Sequence, residues 1–120
     1  MLLFKDKINY KSFNGNGFKA HLDAPAYDHI GPIEHLTCNL AVDEATKENG
    51  YFQVVVGSHN TNVERSEGGH ISEASENAHE WIPVPLEPRD ALFFGSHLAH
   101  RLEGNRSNHY RAAICATSEA

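Results

Sequence analysis

Hydrophobic and polar residues alternate at the start of the chain. One side of this stretch carries Phe4, Asp6, Ile8 and Tyr10, and the other carries Lys5, Lys7, Asn9 and Lys11. A period of two predicts a β-strand over residues 2–13 with one polar face. The cluster NGNG at residues 14–17 is typical of a turn with positive φ. A second strand over residues 18–23 follows, and Pro25 ends it because proline cannot donate to a ladder.

Five further stretches have strand character and are separated by turn residues. They cover residues 35–43, 51–56, 81–86, 91–94 and 110–117. The first is predicted to be internal, the second and fourth buried, and the third an edge strand because it contains two prolines. Residues 60–80 are polar without periodicity and predict a long loop rather than an amphipathic helix. Seven strands joined by turns predict an all-β antiparallel sandwich or barrel, one strand short of a double-sheet jelly roll.

Charge and composition narrow the classes of partner. The 120 residues include 10 basic and 16 acidic side chains, for a net charge of -6. Without a basic stripe, nucleic acid and anionic membrane surfaces are not expected partners. No apolar run approaches the roughly 20 residues of a membrane span. Cys38 and Cys115 lie in strand-like stretches and predict reduced core thiols in a cytoplasmic protein. We expect one domain over residues 1–120.

Residues that bind metals occur at both ends of the chain. Nine histidines with only two cysteines favour a nitrogen and oxygen site over a thiolate site. His21 and Asp23 are separated by one residue of an extended stretch, so both project from one face. With a second histidine they would make a two-histidine, one-carboxylate site that leaves positions on Fe(II) open. His100 and His97 compete for that place, and each histidine alone is also explained as a turn or core residue.

Polar residues inside apolar strands are a second signal. Arg111 lies in the stretch YRAAICAT, where a charge is costly unless it is paired. Its guanidinium suits a bidentate grip on a ligand carboxylate, and the alternative is an internal salt bridge. Asn39 needs a partner, either the backbone or a ligand. Asn9 and Lys7 could line the same ligand cavity as Asn39, although contact with solvent is the commoner role of a polar face.

Six stretches of the chain follow one another in a recognisable order. They are LFKDKINYK, GFKAHLDAPAY, LAVDEATKENG, VVVGSH, PLEPRDALFFGSHLAH and a tail of the form H-x4-N-x-S-x3-R, met by His100, Asn105, Ser107 and Arg111. This series resembles the phytanoyl-CoA dioxygenase family of iron(II)/2-oxoglutarate-dependent oxygenases. The resemblance implies a double-stranded β-helix, or jelly roll. It also implies iron ligation by His21, Asp23 and His100, with Arg111 on the distal carboxylate of 2-oxoglutarate.

The resemblance also assigns the remaining candidates. In the family's tail pattern the histidine ligand precedes the arginine by a fixed number of residues, and His100 has this spacing to Arg111 whereas His97 does not. Asn39 matches a position in the family's cosubstrate pocket. From its place on the polar face of the first strand, rather than from the resemblance, Asn9 is a further candidate cosubstrate contact beside Asn39 and Arg111. No residue is assigned as a catalytic acid or base. The expected reaction is hydroxylation of a small organic substrate by dioxygen, with residues 60–80 covering part of the substrate. Asn105 and Ser107 are expected to close the turn before Arg111 by local bonds to the backbone.

The chain departs from the family's pattern in two ways. Family members are typically more than twice as long, so we expect an incomplete jelly roll with little helix, either a short gene product or a fragment of a longer chain. Arg89 stands where relatives usually have glycine, a small change of the backbone. Two alternatives remain open: a non-catalytic jelly roll, which an exposed apolar sheet face would support, and a cupin-like metalloenzyme that does not use 2-oxoglutarate.

Overall fold

The strands of the chain form two antiparallel sheets. The computed structural model describes residues 3–11, 15, 17–22, 35–60 and 70–119. The strands are β1 (Leu3–Lys11), β2 (Phe18–His21), β3 (His35–Ala41), β4 (Phe52–Val54), β5 (Ile82–Val84), β6 (Ala91–Gly95), β7 (His100–Leu102) and β8 (Arg111–Glu119). The first sheet has the order β1-β8-β3-β6 and the second the order β2-β7-β4-β5. The predicted all-β jelly roll with little helix is confirmed.

The two sheets face each other across a space that is apolar at one end and polar elsewhere. Phe94 of β6 packs on Phe52 of β4, with ring centroids 6.0 Å apart, and so identifies the faces that meet. We call the face of the first sheet that carries Phe94 its inner face. The pairing register assigns to this face the buried polar residues Thr37, Asn39, Arg111 and Thr117. An apolar cluster that includes Ala41 and Leu86 closes one end. A polar inner face indicates a space built for a polar ligand.

The strand that the sequence pattern missed is β7, which begins at His100. It has only three residues, HRL, too few for alternation to be recognised. Its pairing defines it instead, because β7 lies between β2 and β4. With β7 the described chain has eight strands, not the seven predicted.

The outer face of the first sheet is apolar and exposed among the described residues. Ile8 is 58% exposed, Phe93 61% and Ile114 36%. The prediction that residues 91–94 form a buried strand is therefore wrong, apart from Phe94. Strand β6 is an edge strand, and alternation turns Phe93 away from the second sheet.

The second sheet also ends in an edge strand. Among the described strands β5 pairs with β4 alone, as the prolines at residues 83 and 85 predicted. Strand β4 is shorter than the predicted stretch 51–56. Val56, which was predicted to be buried, is 75% exposed, because the chain turns at Gly57, where φ is 79°.

Cys38 and Cys115 lie on neighbouring strands and do not form a disulfide. Cys38 pairs with Ala116 and Cys115 with Asn39, so the two thiols occupy opposite faces of the sheet. The prediction of two thiols is confirmed, although both residues are half-buried rather than in the core.

The described part of the predicted loop 60–80 contains a helix, α1 (Glu73–Ala78). Ser72 caps it by accepting a hydrogen bond from the Ser75 amide at 3.2 Å. Arg101 of β7 binds Glu76 of this helix at 2.6 Å. Because Arg101 and His100 are successive strand residues, α1 lies on the side of the sheet opposite to His100. Residues 73–78 therefore do not cover the face of His100, and residues 61–69 of the predicted loop lie outside the described residues, so coverage of the substrate by this loop stays a prediction. None of the described helices has the length and apolar character needed to cross a lipid bilayer.

Arg89 adopts the backbone conformation that glycine prefers, with φ 77°. Its amide donates to the carbonyl of Ala41 at 2.8 Å, which holds the turn before β6 against β3. A left-handed conformation costs a residue with a side chain about 1–2 kcal/mol. Replacement by glycine removes this cost, but part of the gain in stability is lost because glycine makes the unfolded chain more flexible. We expect Arg89→Gly to raise the free energy of unfolding by about 0.5–1 kcal/mol in urea denaturation. The exposed Arg106 serves as the control, since Arg106→Gly should give no gain. Equal or lower stability of Arg89→Gly would contradict this account of the turn.

Candidate metal centre and cosubstrate pocket

The His100 imidazole is buried between two phenylalanines. The residue is 4% exposed, and its ring centroid lies 4.8 Å from that of Phe94 and 6.0 Å from that of Phe52. Its Nδ1 donates to the carbonyl of Leu98 at 2.9 Å. A neutral imidazole that donates from Nδ1 carries its lone pair on Nε2, and a backbone carbonyl commonly fixes a metal-binding histidine in this way. The hydrogen bond from Nδ1 therefore orients the ring as a ligand that binds a metal through Nε2 requires.

The chain just before His100 is also anchored. Ser58, which is 2% exposed, accepts a hydrogen bond from the Ala99 amide at 2.8 Å. Ser58 belongs to the stretch VVVGSH, so this turn buttresses the start of β7. The position of His100 is therefore determined by the contacts of its ring and by the anchored backbone just before it.

The other two predicted iron ligands lie on and after β2. The pairing register puts His21 directly opposite His100 across the β2–β7 ladder. The side chain of His21 and the whole of Asp23 lie outside the described residues, so their ligation stays a prediction. Among the side chains that the structure describes, no group of three or more His, Cys, Asp or Glu residues is arranged to hold a metal ion.

Arg111 begins β8 and is 5% exposed. Its Nε donates to the carbonyl of Asn49 at 3.2 Å and its Nη2 to that of Gly50 at 2.8 Å. These contacts use two of five guanidinium N–H donors. No carboxylate of the described residues lies within ion-pairing distance of the guanidinium. The internal salt bridge considered for Arg111 is thus not found in the described part of the chain.

The charge of Arg111 is only partly compensated. Burial lowers the pKa of the guanidinium from its ordinary value, and the negative charge of Asp43 acts in the opposite direction. Asp43 is exposed, and its carboxylate accepts a hydrogen bond from the Ala112 amide at 2.8 Å. A buried cation without a close anion is stabilised by a ligand that supplies one.

Asn39 contributes a second buried polar group to the inner face. It lies on β3 opposite Cys115 of β8 and Leu92 of β6, and it is 5% exposed. Its amide oxygen is buried and has no hydrogen-bond partner among the described residues. Such atoms are rare in folded proteins and usually mark a ligand or water site.

Strand β1 brings further polar positions to the same face. Asn9 pairs with Ala113 and Lys7 with Cys115, so both share the register of Arg111. Ile8, between them in sequence, is the exposed residue. The sequence pattern favoured contact with solvent for this polar face. The pairing of β1 with β8 instead assigns these positions to the inner face of the sheet. The side chains of Asn9 and Lys7 lie outside the described residues, so a cosubstrate contact by Asn9 stays a prediction.

The turn between β7 and β8 sets where Arg111 enters its strand. Asn105, which is fully buried, donates from Nδ2 to the carbonyl of His109 at 2.8 Å and accepts from the Ser107 amide at 3.0 Å. The predicted closure of this turn by Asn105 and Ser107 is confirmed. The Asn105 amide also donates to the carbonyl of Gly15. Nearby, a Cβ at residue 17 would overlap the carbonyl oxygen of Leu102, so only glycine fits there.

His97, the competitor for the iron site, is exposed in the turn before β7, in line with the selection of His100. The contacts of the Asn49 and Gly50 carbonyls with Arg111 were not anticipated. The signal available was the Asn-Gly pair itself, which marks a turn but not its contacts.

Comparison with known proteins decides the family. The family model for phytanoyl-CoA dioxygenase (PhyH) matches residues 1–113. The chain belongs to the phytanoyl-CoA dioxygenase family. Within this family it is 43% identical over 117 residues to the dioxygenase lolE1 of Epichloe uncinata, a match that covers 98% of this chain and 45% of the relative. It is 39% identical over 120 residues to the methylphosphonate hydroxylase of Gimesia maris, covering 99% and 45%.

Solved structures show the same fold. EctD from S. alaskensis, solved with 2-oxoglutarate and 5-hydroxyectoine, superposes with a TM-score of 0.85 at 24% identity, covering 99% of this chain and 44% of EctD. The epimerase SnoN, solved with Fe3+, α-ketoglutarate and nogalamycin RO, gives a TM-score of 0.78 at 21% identity, covering 96% and 48%. The chain therefore spans about 45% of the length of the curated relatives that it matches.

The described residues fit an iron ion with 2-oxoglutarate. The His100 imidazole donates from Nδ1 to a backbone carbonyl, Arg111 lacks a described carboxylate partner, and the Asn39 amide oxygen lacks a described hydrogen-bond partner. The first suits a metal and the second a dicarboxylate. The third marks a polar ligand or water in the same space between the sheets.

Proposed function

We propose that this chain is the iron(II)- and 2-oxoglutarate-binding core of a dioxygenase that hydroxylates a small organic substrate. The observation that carries the proposal is the buried Arg111 guanidinium, which has no close anion among the described residues and lies on the face that opposes His100. Membership of the phytanoyl-CoA dioxygenase family supports the reaction class. The partners proposed are dioxygen, 2-oxoglutarate and the substrate.

His21, Asp23 and His100 would hold the iron, and Arg111 would hold the distal carboxylate of 2-oxoglutarate. The pairing of His21 with His100 supports the shared site, because directly opposed positions of an antiparallel ladder share one face. When bound, iron(II) and 2-oxoglutarate supply the activation of dioxygen for C–H oxidation, with 2-oxoglutarate converted into succinate and carbon dioxide.

The protein's own contribution is to bind, orient and exclude water. The hydrogen bond to the carbonyl of Leu98 fixes the orientation of the His100 imidazole. Phe52 and Phe94 pack on the imidazole and keep water from its faces. Arg111 would bind the cosubstrate through a planar fork of N–H donors, which selects a carboxylate of one orientation. Asn39 and Asn9 are proposed as further polar contacts of the cosubstrate.

Succinate formation tests this function. The purified chain is expected to form succinate from 2-oxoglutarate in the presence of iron(II) and oxygen, and to form more than the same mixture without protein. No substrate is needed for this test, because the cosubstrate is turned over slowly even without it. Succinate can be measured by NMR or mass spectrometry. A His21→Ala variant is the matched control and should release none, since it lacks a proposed iron ligand. A folded, iron-loaded chain that forms no succinate would contradict the proposed activity.

A second candidate function is a non-catalytic jelly roll that keeps the site residues. The exposed apolar outer face at Ile8, Phe93 and Ile114 favours it, as does the chain's 45% coverage of its relatives. The succinate assay separates the candidates when it is paired with a binding measurement. Binding of iron(II) and 2-oxoglutarate without succinate would establish the second candidate.

A further inference from the structure

The connection 43–50, between β3 and β4, is cross-linked by the side chain of Asn49. Its Oδ1 accepts from the Thr46 amide at 2.7 Å and its Nδ2 donates to the carbonyl of Glu44 at 2.7 Å. The Asn49 amide donates in turn to the Thr46 hydroxyl at 3.3 Å. The Tyr51 amide closes the connection by donating to the carbonyl of Thr46 at 3.0 Å. The backbone at residue 49 is thus tied to two earlier points of the same connection.

The end of this connection contacts the guanidinium of Arg111. The carbonyl of Asn49 accepts from Nε and the carbonyl of Gly50 from Nη2. Gly50 has φ 83°, a conformation that glycine adopts without strain, and it is buried. Two successive carbonyls therefore contact the Nε side of the planar group. The end of the group, formed by Nη1 and Nη2, has no partner among the described residues beyond the Nη2 contact and can take a bidentate carboxylate.

We propose that Asn49 is a positioning residue for the arginine that binds 2-oxoglutarate. Its side chain fixes the two carbonyls, and the carbonyls fix the plane in which Arg111 presents its remaining donors. The inference rests on the proposed function, because it takes 2-oxoglutarate as the ligand of Arg111. Asn49 itself contacts neither iron nor cosubstrate.

The effect of Asn49 should be specific to the cosubstrate. Without its side chain, the connection loses two hydrogen bonds at 2.7 Å, and the carbonyls no longer hold one orientation. A guanidinium that samples several planes must be ordered when the carboxylate binds, and this costs affinity. The iron ligands proposed on β2 and β7 lie on other elements, so iron affinity should not change.

A double-mutant cycle tests this role. The chain loaded with iron(II) is titrated with 2-oxoglutarate by calorimetry without oxygen, as wild type, Asn49→Ala, Arg111→Lys and the double variant. We expect Asn49→Ala to weaken 2-oxoglutarate binding about tenfold in the wild-type background and less than about twofold beside Arg111→Lys, since residues acting through one contact are not additive. Iron affinity, measured by chelator competition, should stay within about twofold.

Two further variants keep the result interpretable. Asn108→Ala removes an exposed asparagine from the turn before Arg111 and should bind 2-oxoglutarate as wild type does. Asn49→Asp keeps the acceptor for the Thr46 amide, and it replaces Asn49→Ala if that variant does not fold. Unchanged binding in Asn49→Ala, or an equal loss in both backgrounds, would overturn the inference while leaving the proposed function intact. A wild-type chain that does not bind 2-oxoglutarate would overturn both.

Discussion

His100→Ala is expected to weaken iron(II) binding by more than about 100-fold and to stop succinate formation. Loss of a partner that merely orients a metal ligand costs about 10–100-fold, so loss of the ligand itself should cost more. The variant should also be less stable by about 2–4 kcal/mol, because it leaves a cavity between Phe52 and Phe94. Iron binding is measured by competition with a coloured chelator without oxygen, and stability by urea denaturation.

His97→Ala is the matched control, because it removes the exposed histidine three residues earlier. It should bind iron as wild type does and lose little stability. His100→Gln retains more side-chain volume and separates loss of the ligand from loss of the fold. Wild-type iron affinity in a folded His100→Gln chain would show that His100 is not a ligand.

Arg111→Lys is expected to weaken 2-oxoglutarate binding about ten- to hundredfold while iron binding persists. Lysine keeps the positive charge but loses the planar fork, and a hydrogen bond to a charged group contributes about 1.5–3 kcal/mol. Arg111→Ala should cost more affinity. It should also destabilise the chain by about 1–3 kcal/mol, because the carbonyls of Asn49 and Gly50 lose the hydrogen bonds that they accept from the guanidinium. Titration of 2-oxoglutarate into each iron-loaded variant measures the affinity.

Arg106→Ala is the control for charge. Arg106 is an exposed arginine that pairs with Glu103 at the surface, and its loss should change neither affinity nor stability by much. If Arg111→Lys bound 2-oxoglutarate as tightly as wild type, a forked contact at this residue would be excluded.

The alternation of residues predicted most of the strands, but it did not identify which face points inward. In β1 the apolar position of Ile8 is the exposed one, while Lys7 and Asn9 share the register of the inner face. Burial of apolar residues is a good guide only where the interior is dry. In this jelly roll the interior holds buried polar groups such as Asn39, so the usual assignment of faces was reversed.

The candidate site was predicted residue by residue, whereas the contacts that support it were not. Arg111 was identified because a charge in an apolar strand needs a partner. Its hydrogen bond to Asn49 joins residues 62 positions apart, and no local pattern predicts such a contact. For the same reason β7 was missed, because its pairing with β2 and β4, rather than its three residues, makes it a strand.

In the proposed function, one shared site between the two sheets holds both iron and a dicarboxylate. Titration of the iron(II)-loaded chain with 2-oxoglutarate in the absence of oxygen tests this most directly, because cosubstrate chelation of iron(II) gives a visible charge-transfer absorption. We expect this absorption to appear and to saturate at one equivalent of 2-oxoglutarate per chain. An iron-loaded, folded chain whose visible spectrum does not respond to 2-oxoglutarate would contradict the shared site.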